Sequence, residues 1–342
     1  MGERSVRALG AVAVLLPFLV GLTAAGVDPE GRAAFRFQDA EIVESSGLVV
    51  EGDLAHTVND SGDIGRVFTV DTTTGETVGV TFWADGPRDV EALAPGGPGH
   101  VWVADIGDNG GSRDSVSVTR VPVGQGDRTV DEETIDLVYP DGARDAESLL
   151  VHPVTGRIYI ATKGVFGGEL YAAPPDLADD APNVLGLVGP VAGIVTDGAF
   201  FNDGEHLIVR SYSDAVVYTF PDLEPVGSFN LPSQVQGEGI AVPSGPLVDF
   251  VYLSSEGQRA PVLRVPIPPR IVEQLASAPN PTPTPTEPVS APVSPVPEPS
   301  GGATSVEEIT PQALDRDAWP RVVSALIFLG VLGVLVRALR PS

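Results

Sequence analysis

The stretch "VADIGDNGGSRD", Val103 to Asp114, sets three aspartates and an asparagine among three glycines. Clustered carboxylates on a glycine-rich loop are hard oxygen donors, and the chemistry they suggest first is calcium binding. The helix–loop–helix calcium template fails here. With Asp105 in first place, Gly107 stands where the third-position ligand belongs and Val116 where the closing Glu belongs. The loop can act only with acids from elsewhere in the chain.

Such acids recur in a pattern. "ESSGL" (Glu44 to Leu48), "DVEAL" (Asp89 to Leu93), "DAESL" (Asp145 to Leu149), "TDGAF" (Thr196 to Phe200) and "QGEGI" (Gln236 to Ile240) each end in an apolar residue, at intervals of 45, 56, 51 and 40 residues. Residues two apart on a strand share a side. On that rule Glu44 with Ser46, Asp89 with Glu91, Asp145 with Glu147, Thr196 alone, and Gln236 with Glu238 face one way. Runs such as "AHTVND", "HVWVAD", "RIYIATK", "HLIVRSY" and "DFVYLSSE" follow and end on Asn59, Asp60, Asp105, Asp108, Asn109, Lys163, Arg210, Tyr212 and Glu256.

These groups must be held by strands, because the body from residue 26 to 275 shows short β-rich runs broken by Gly, Asp and Pro and almost no helical period. Third strands fit at "RVFTVD", "SVTRVPV", "GELYAAP", "AVVYTF" and "PVLRVPI", and fourth strands at "TVGVTFW", "ETIDLVY", "NVLGLVG" and "PVGSFNL". Four strands per repeat at this period predict an all-β propeller of five blades. The fifth unit lacks a fourth strand, and the N-terminal "AFRFQDAEIV" (Ala34 to Val43) is expected to supply it and close the ring. Six blades stay open if the 56-residue interval hides a further unit.

The motifs "NDSGD", "DVEAL", "DIGDN", "VRSY" and "SSEG" resemble those of exported bacterial WD-repeat-like propellers, related at the level of fold to the family called esterase-like activity of phytase. The resemblance spans the body, residues 35 to 268. It implies the propeller fold and, more distantly, phosphoester chemistry.

First strands line a propeller's channel, so the acids should crowd one mouth. Like charges at close range raise pKa values or demand a cation. Three remedies are open: ion pairs with Lys163 and Arg210, Ca²⁺ held by Asp89, Glu91, Asp105, Asp108, Asp145 and Glu147, or protonated acids at Glu91, Glu147 and Glu238 acting in catalysis. Asn59, Asp60, Lys163, Arg210, Tyr212 and Glu256 are the expected ligand-binding residues around them. A structural role also stays open, in which these side chains lock blades together. His100, His152 and His206 fall at turns on the opposite face and only His56 can approach the acids, so a catalytic triad is not expected. No GxSxG, HExxH or Walker loop occurs. Trp83 and Trp102 read as packing residues, and Phe166 in "KGVFGGE" as exposed on the charged face.

The chain has 342 residues, 46 acidic and 20 basic, with Lys163 its one lysine, and a net charge of -26. A basic face is absent, which excludes nucleic acid as a partner. There is no cysteine, so disulfides and thiol chemistry are excluded. The Arg-for-Lys bias is that of a high-GC genome of actinobacterial type. Residues 1–25 read as a signal peptide with Arg4 and Arg7 before an apolar run and small residues at Ala24 and Ala25. Residues 276–319 read as a stalk, with nine prolines between Pro279 and Pro299. Residues 320–340 read as a membrane helix whose charge-free run, Val322 to Val336, is extended by snorkelling of Arg321 and Arg337, with Arg340 placing the tail in the cytoplasm. The expected protein is a membrane-anchored extracytoplasmic propeller that binds a protein, glycan or small molecule through an acidic, calcium-binding centre. An extracellular phosphoesterase or carboxylate glycosidase is the alternative.

Overall fold

A computed structural model describes residues 31–60, 62–83, 86–178, 181–245 and 248–277. The residues expected to form the signal peptide and the membrane helix, and those of the expected stalk beyond Ser277, lie outside the described residues, while Ala276 and Ser277 end a helix. Among those described, no helix is long and apolar enough to cross a membrane.

The described strands form five sheets. Blade 1 holds β2 (Ser45–Glu51), β3 (Leu54–Asn59), β4 (Arg66–Asp71) and β5 (Thr77–Trp83). Blade 2 holds β6 (Val90–Pro95), β7 (His100–Asp105), β8 (Val116–Pro122) and β10 (Thr134–Val138). Blade 3 holds β11 (Ala146–Val151), β12 (Ile158–Thr162), β13 (Gly168–Ala172) and β15 (Gly186–Val191). Blade 4 holds β16 (Asp197–Phe200), β17 (His206–Arg210), β18 (Asp214–Thr219) and β19 (Pro225–Asn230). Blade 5 holds β20 (Gly237–Ala241), β21 (Phe250–Ser255) and β22 (Pro261–Pro266), completed by β1 (Arg32–Arg36) antiparallel to β22. The innermost strands touch in the order β2, β6, β11, β16, β20 and back to β2, so the ring is closed at five blades.

Each blade is apolar on both faces because each is sandwiched, and the core is five wedges, one per interface. Leu149 and Ile160 of blade 3 meet Ala104 and Val118 of blade 2, for example, and Phe35, Phe68 and Val262 close the wedge between blades 1 and 5. Burying such side chains is worth about 1.5–3 kcal/mol each, which is what replaces disulfides in this cysteine-free chain. The closure is tight at Gly75, whose positive φ suits glycine and where a Cβ would fall 1.9 Å from the Arg36 carbonyl oxygen.

Three features depart from the strand pattern expected. The closing strand is shorter, ending at Arg36, after which Phe37 and Ile42 turn into the core. "NVLGLVG" is split: β14 (Asn183–Val184) pairs parallel with β10 of blade 2, and Gly186 starts blade 3's own outer strand. A parallel addition, β9 (Arg128–Val130), also extends blade 1. The third is in blade 4. Register shifts leave Ser46, Glu91 and Glu147 unpaired between paired neighbours in β2, β6 and β11, and Glu238 with Gly239 in β20. In β16 the pairing runs from Asp197 to Phe200 without a break. The residue before it, Thr196, donates its amide to the Arg210 carbonyl oxygen, which Asp197 also faces, and its Oγ1 to the Gly237 and Glu238 carbonyl oxygens, so Thr196 is the bulged residue of blade 4 and "TDGAF" is out of step by two with the other four motifs.

The nine-residue helix α1 (Pro269–Ser277) follows β22 and packs on β19 through the buried Ile271, against Gly227. Loops joining second to third strands, and outer strands to the next blade's first strand, share one face, called the top face below.

Candidate functional site: the acidic mouth

A bulge turns a side chain out of the ladder and re-aims it. Here it places Glu91, Glu147 and Glu238 at equivalent points of three blades at the channel's top end, each buried. Ser46 occupies the same point in blade 1 and donates from Oγ to the Glu91 carbonyl oxygen at 2.9 Å.

Around these acids lies a second tier, just past the second strands. The Lys163 amide donates to the Asp145 carbonyl oxygen (2.9 Å), and Gly107, Asp60 and Glu256 make the matching bond to Asp89, Glu44 and Gln236 (3.1, 3.0 and 2.9 Å). The four positions are thus equivalent, and they carry a lysine, a glycine and two acids.

In blade 3 the charge is satisfied internally. Lys163 Nζ donates to Glu147 Oε1 and to the Tyr212 hydroxyl at 3.2 Å. Burial pushes the Glu147 carboxyl up to about 7 even against the pull of Lys163, whose own pKa is raised because the two hydrogen-bonded partners outweigh its burial.

In blade 2 no base takes that place. One oxygen each from Asp60, Asp89 and Glu91 lies within 4.8 Å of the others. Burial, then Asp60, Glu147 and Asp89, push Glu91 up to about 10 against Lys163, and burial with the charges of Asp60 and Asp105 raises Asp89. Gly107 closes over this group: a Cβ on it would sit 2.4 Å from Asp89 Oδ2 and 2.5 Å from Glu91 Oε1. The three oxygens from two blades are the hard anionic donor set of a Ca²⁺ site, with room left for water in the six to eight places that ion takes.

In blade 5, burial and then Glu147 push Glu238 up to about 8, opposed by Gln236, Lys163 and Arg210. Its Oε2 is buried with no hydrogen-bond partner.

Other expected site residues serve the scaffold. Asn59 Oδ1 accepts from the amides of Val43 and Glu44, and its Nδ2 donates to the Glu41 carbonyl oxygen and to Asp63. Asp105 accepts from the amides of Arg88 and Asp89 and pairs with Arg113 Nη1 at 2.6 Å. Asp108 accepts from the amides of Ser112 and Arg113, while its own amide donates to Asp145 Oδ1, tying blade 2 to blade 3. Glu256 accepts from Gln236. Arg210, expected at the mouth, is 1 % exposed and reaches into blade 5, where Nη1 donates to the Gly239 and Ser254 carbonyl oxygens and Nη2 to Gln234. The fully buried Asp197 beside it accepts from the Ile240 amide at 2.7 Å. Asp197 was not among the sequence's candidates, because it stands directly after the bulged Thr196, where the other blades carry the small residues Gly47, Ala92, Ser148 and Gly239. His56 does not reach the acids; it packs beside Thr69 in the interior, where burial lowers its pKa to about 4. Phe166 is fully exposed on the β12–β13 loop, while Trp83 and Trp102 pack against the core.

The channel's other half is an apolar cavity of about 370 Å³ lined from all five innermost strands, with Trp102, His152 and Phe200 in its wall. Glu51 is its one acidic lining residue, so the ionisable chemistry belongs to the mouth and not to this cavity.

No family model matches the chain, and no curated protein matches it. The resemblance to the phytase-related family therefore finds no support beyond the five-bladed propeller it implied. Among solved structures, the crystal structure of Myxococcus xanthus glutaminyl cyclase aligns at a TM-score of 0.45 and 13% identity, over 71% of this chain and 99% of that one. A likeness of that degree says nothing about the site.

Proposed function

We propose that the protein is a binding propeller whose acidic mouth holds a divalent cation of the calcium type through Asp60, Asp89 and Glu91. The observation that carries this is the convergence of three carboxylate oxygens within 4.8 Å at a glycine-covered point. Three like charges so placed are costly without a counter-charge, and blade 3 has its own in Lys163. The cation fixes Glu91 and Asp89 as anions, ties blade 1 to blade 2 and presents an open coordination place to a ligand on the top face. The leader, stalk and apolar tail of the sequence support a location outside the cell on a membrane anchor. Calorimetric titration of the full-length protein with CaCl₂ tests the reading: one site lost in Glu91→Gln supports it, and no heat of binding sinks it.

A hydrolase is the second reading, favoured by Glu147 and Glu238, held at about 7 and 8, where a carboxylic acid can donate a proton near neutral pH. Release of product from phosphoester or glycoside substrates, abolished by Glu147→Gln, would establish it in place of the binding role.

A further inference from the structure

The channel has two ends of opposite character, and the acidic mouth uses only the top one. From the bottom face a funnel of about 370 Å³ runs up the axis. Its deep wall is made by Leu48, Leu93, Leu149 and Ile240, each buried and each two places past the bulged residue of its own innermost strand. Its rim is made by Pro95, Gly97, Pro153, Asn202 and Ser244, all exposed and all at the turns that join first to second strands. Burial thus falls from depth to rim, and the funnel opens to solvent on the bottom face.

Size decides what enters. Apolar cavities of about 150 Å³ stay dry and take up benzene, and sites for small organic ligands begin at about 300 Å³. This funnel therefore admits a compact hydrocarbon body bulkier than one ring.

The wall also decides the charge of the occupant. No Lys or Arg lines the funnel among the described residues, and Glu51, half-buried at the end of β2, is its one acid. Burial raises the Glu51 carboxyl above its ordinary value, opposed by the Gly99 amide and by His100 outside the funnel, so a cation beside it would favour the ionised form. His152 adds no positive charge: its Nδ1 accepts from the Val154 and Thr155 amides at 3.2 Å each, its ring packs on Phe200 and Phe220, and burial lowers its pKa. Trp102, partly buried in the wall, supplies an indole, and indole rings attract cations as carboxylates do.

We infer that the funnel is a binding site for a small apolar amine, with the hydrocarbon body among Leu48, Leu93, Leu149, Ile240 and Trp102 and the ammonium at Glu51. An anion would meet only the Glu51 charge. A neutral hydrocarbon would fill the space but leave that carboxylate desolvated without a counter-charge, whereas an amine does both. The net charge of -26 draws cations toward the molecule. None of Asp60, Asp89, Glu91, Glu147 and Glu238 lines the funnel, so the inference does not rest on the calcium reading.

The test is calorimetric titration of the full-length protein with three ligands built on one compact cage: adamantylmethylamine, adamantylmethanol and adamantanecarboxylate. The amine should bind about fivefold more tightly than the alcohol, as a half-exposed ion pair allows, and lose that advantage as salt rises. The carboxylate should give no measurable heat. Glu51→Gln, an isosteric change, should bring the amine down to the alcohol and leave the alcohol as it was. The amine should shift the tryptophan emission of the wild type and not that of Trp102→Phe, in which the heat of binding persists. No heat from any of the three, equal affinity of amine and alcohol in the wild type, a preference for the carboxylate, an amine preference kept in Glu51→Gln, or an emission shift kept in Trp102→Phe would overturn the inference. So would loss of amine binding in Glu238→Gln, which would put the amine at the opposite end of the channel. Calcium titration reads the mouth alone, so failure of one reading is not failure of the other.

Discussion

Gly107 occupies in blade 2 the place that Lys163 occupies in blade 3: each donates its amide to the first acid of its own motif, Asp89 and Asp145. Where blade 3 projects an ammonium toward Glu147, blade 2 has only a Cα pressed against Asp89 and Glu91. The same scaffold position thus supplies an ammonium in one blade and none in the next.

Calcium should stabilise the fold. At a hundred times the dissociation constant it adds about 2.7 kcal/mol, a rise in melting temperature on the order of 5–10 °C for a body of this size. Differential scanning fluorimetry with CaCl₂ and with EDTA measures this. In Glu91→Gln the calcium response should vanish while the ion-free protein melts higher at neutral pH, since glutamine needs no proton uptake to be buried there.

Gly107→Ala should lose calcium affinity by at least tenfold, because its methyl group enters the space of the two carboxylate oxygens. Its φ is not in the left-handed region, so backbone strain is not the cause. A stability loss of about 1–3 kcal/mol is expected from overpacking, read from urea melts beside calorimetry.

Acidity should act on the ion-free mouth in a defined direction. Glu91 is raised from 4.5 to about 10 in the folded chain, so its contribution to stability is complete below pH 4.5 and is lost as pH climbs toward 10. Calcium, by fixing the carboxylate, should flatten that slope and release protons on binding near pH 7 to 8. Titrations in buffers of different ionisation enthalpy would count them, and no release would contradict the assignment.

Lys163→Met should leave Glu147 buried without its base. Breaking such a pair costs about 3–5 kcal/mol when the remaining charge stays, but Glu147, already held at about 7, can take up a proton. The loss should therefore be large at pH 8.5 and shrink at pH 5.5, and Glu147→Gln in the same chain should recover most of it. Melts at the two pH values decide this.

His56 should set an acid limit on the whole fold. Its pKa falls from 6.5 to about 4 on burial, so protons bind the unfolded chain more strongly and stability declines as pH drops from 6.5 to 4. The decline is on the order of 3 kcal/mol. His56→Gln, able to keep the Thr69 contact, should remove most of that dependence in urea melts recorded between pH 4 and 7.

Much of this architecture can be read from the chain because each blade repeats an acid-rich entry to its first strand, and repetition survives weak local signals. Blade 4 shifts the pattern, with Thr196 at the bulge and Gly198 where the other blades carry an apolar end point, and Phe200 then imitates that end point two places late. That slip concealed Asp197 and made Arg210 look like a mouth residue, when it is a buried brace across to blade 5. The parallel additions β9 and β14 are three and two residues long, too short to carry a period. Asp60, Asp89 and Glu91 were each legible as candidates. Their convergence was not, since it depends on how two blades splay about the axis and on a glycine whose significance lies in what it leaves out.

The strand that closes the ring also sets how the molecule yields to force. β1 begins at Arg32, opposite Arg264 near the end of β22, so the two chain ends leave that pair from the same side. A pull between residues 31 and 277 must first detach α1 at Ile271 and then break the β1–β22 ladder one rung at a time from the Arg32 end, in unzipping and not in shear. Single-molecule extension should show a low first force peak followed by release of the blades, because the ring has little mechanical strength at the one seam held by its own beginning.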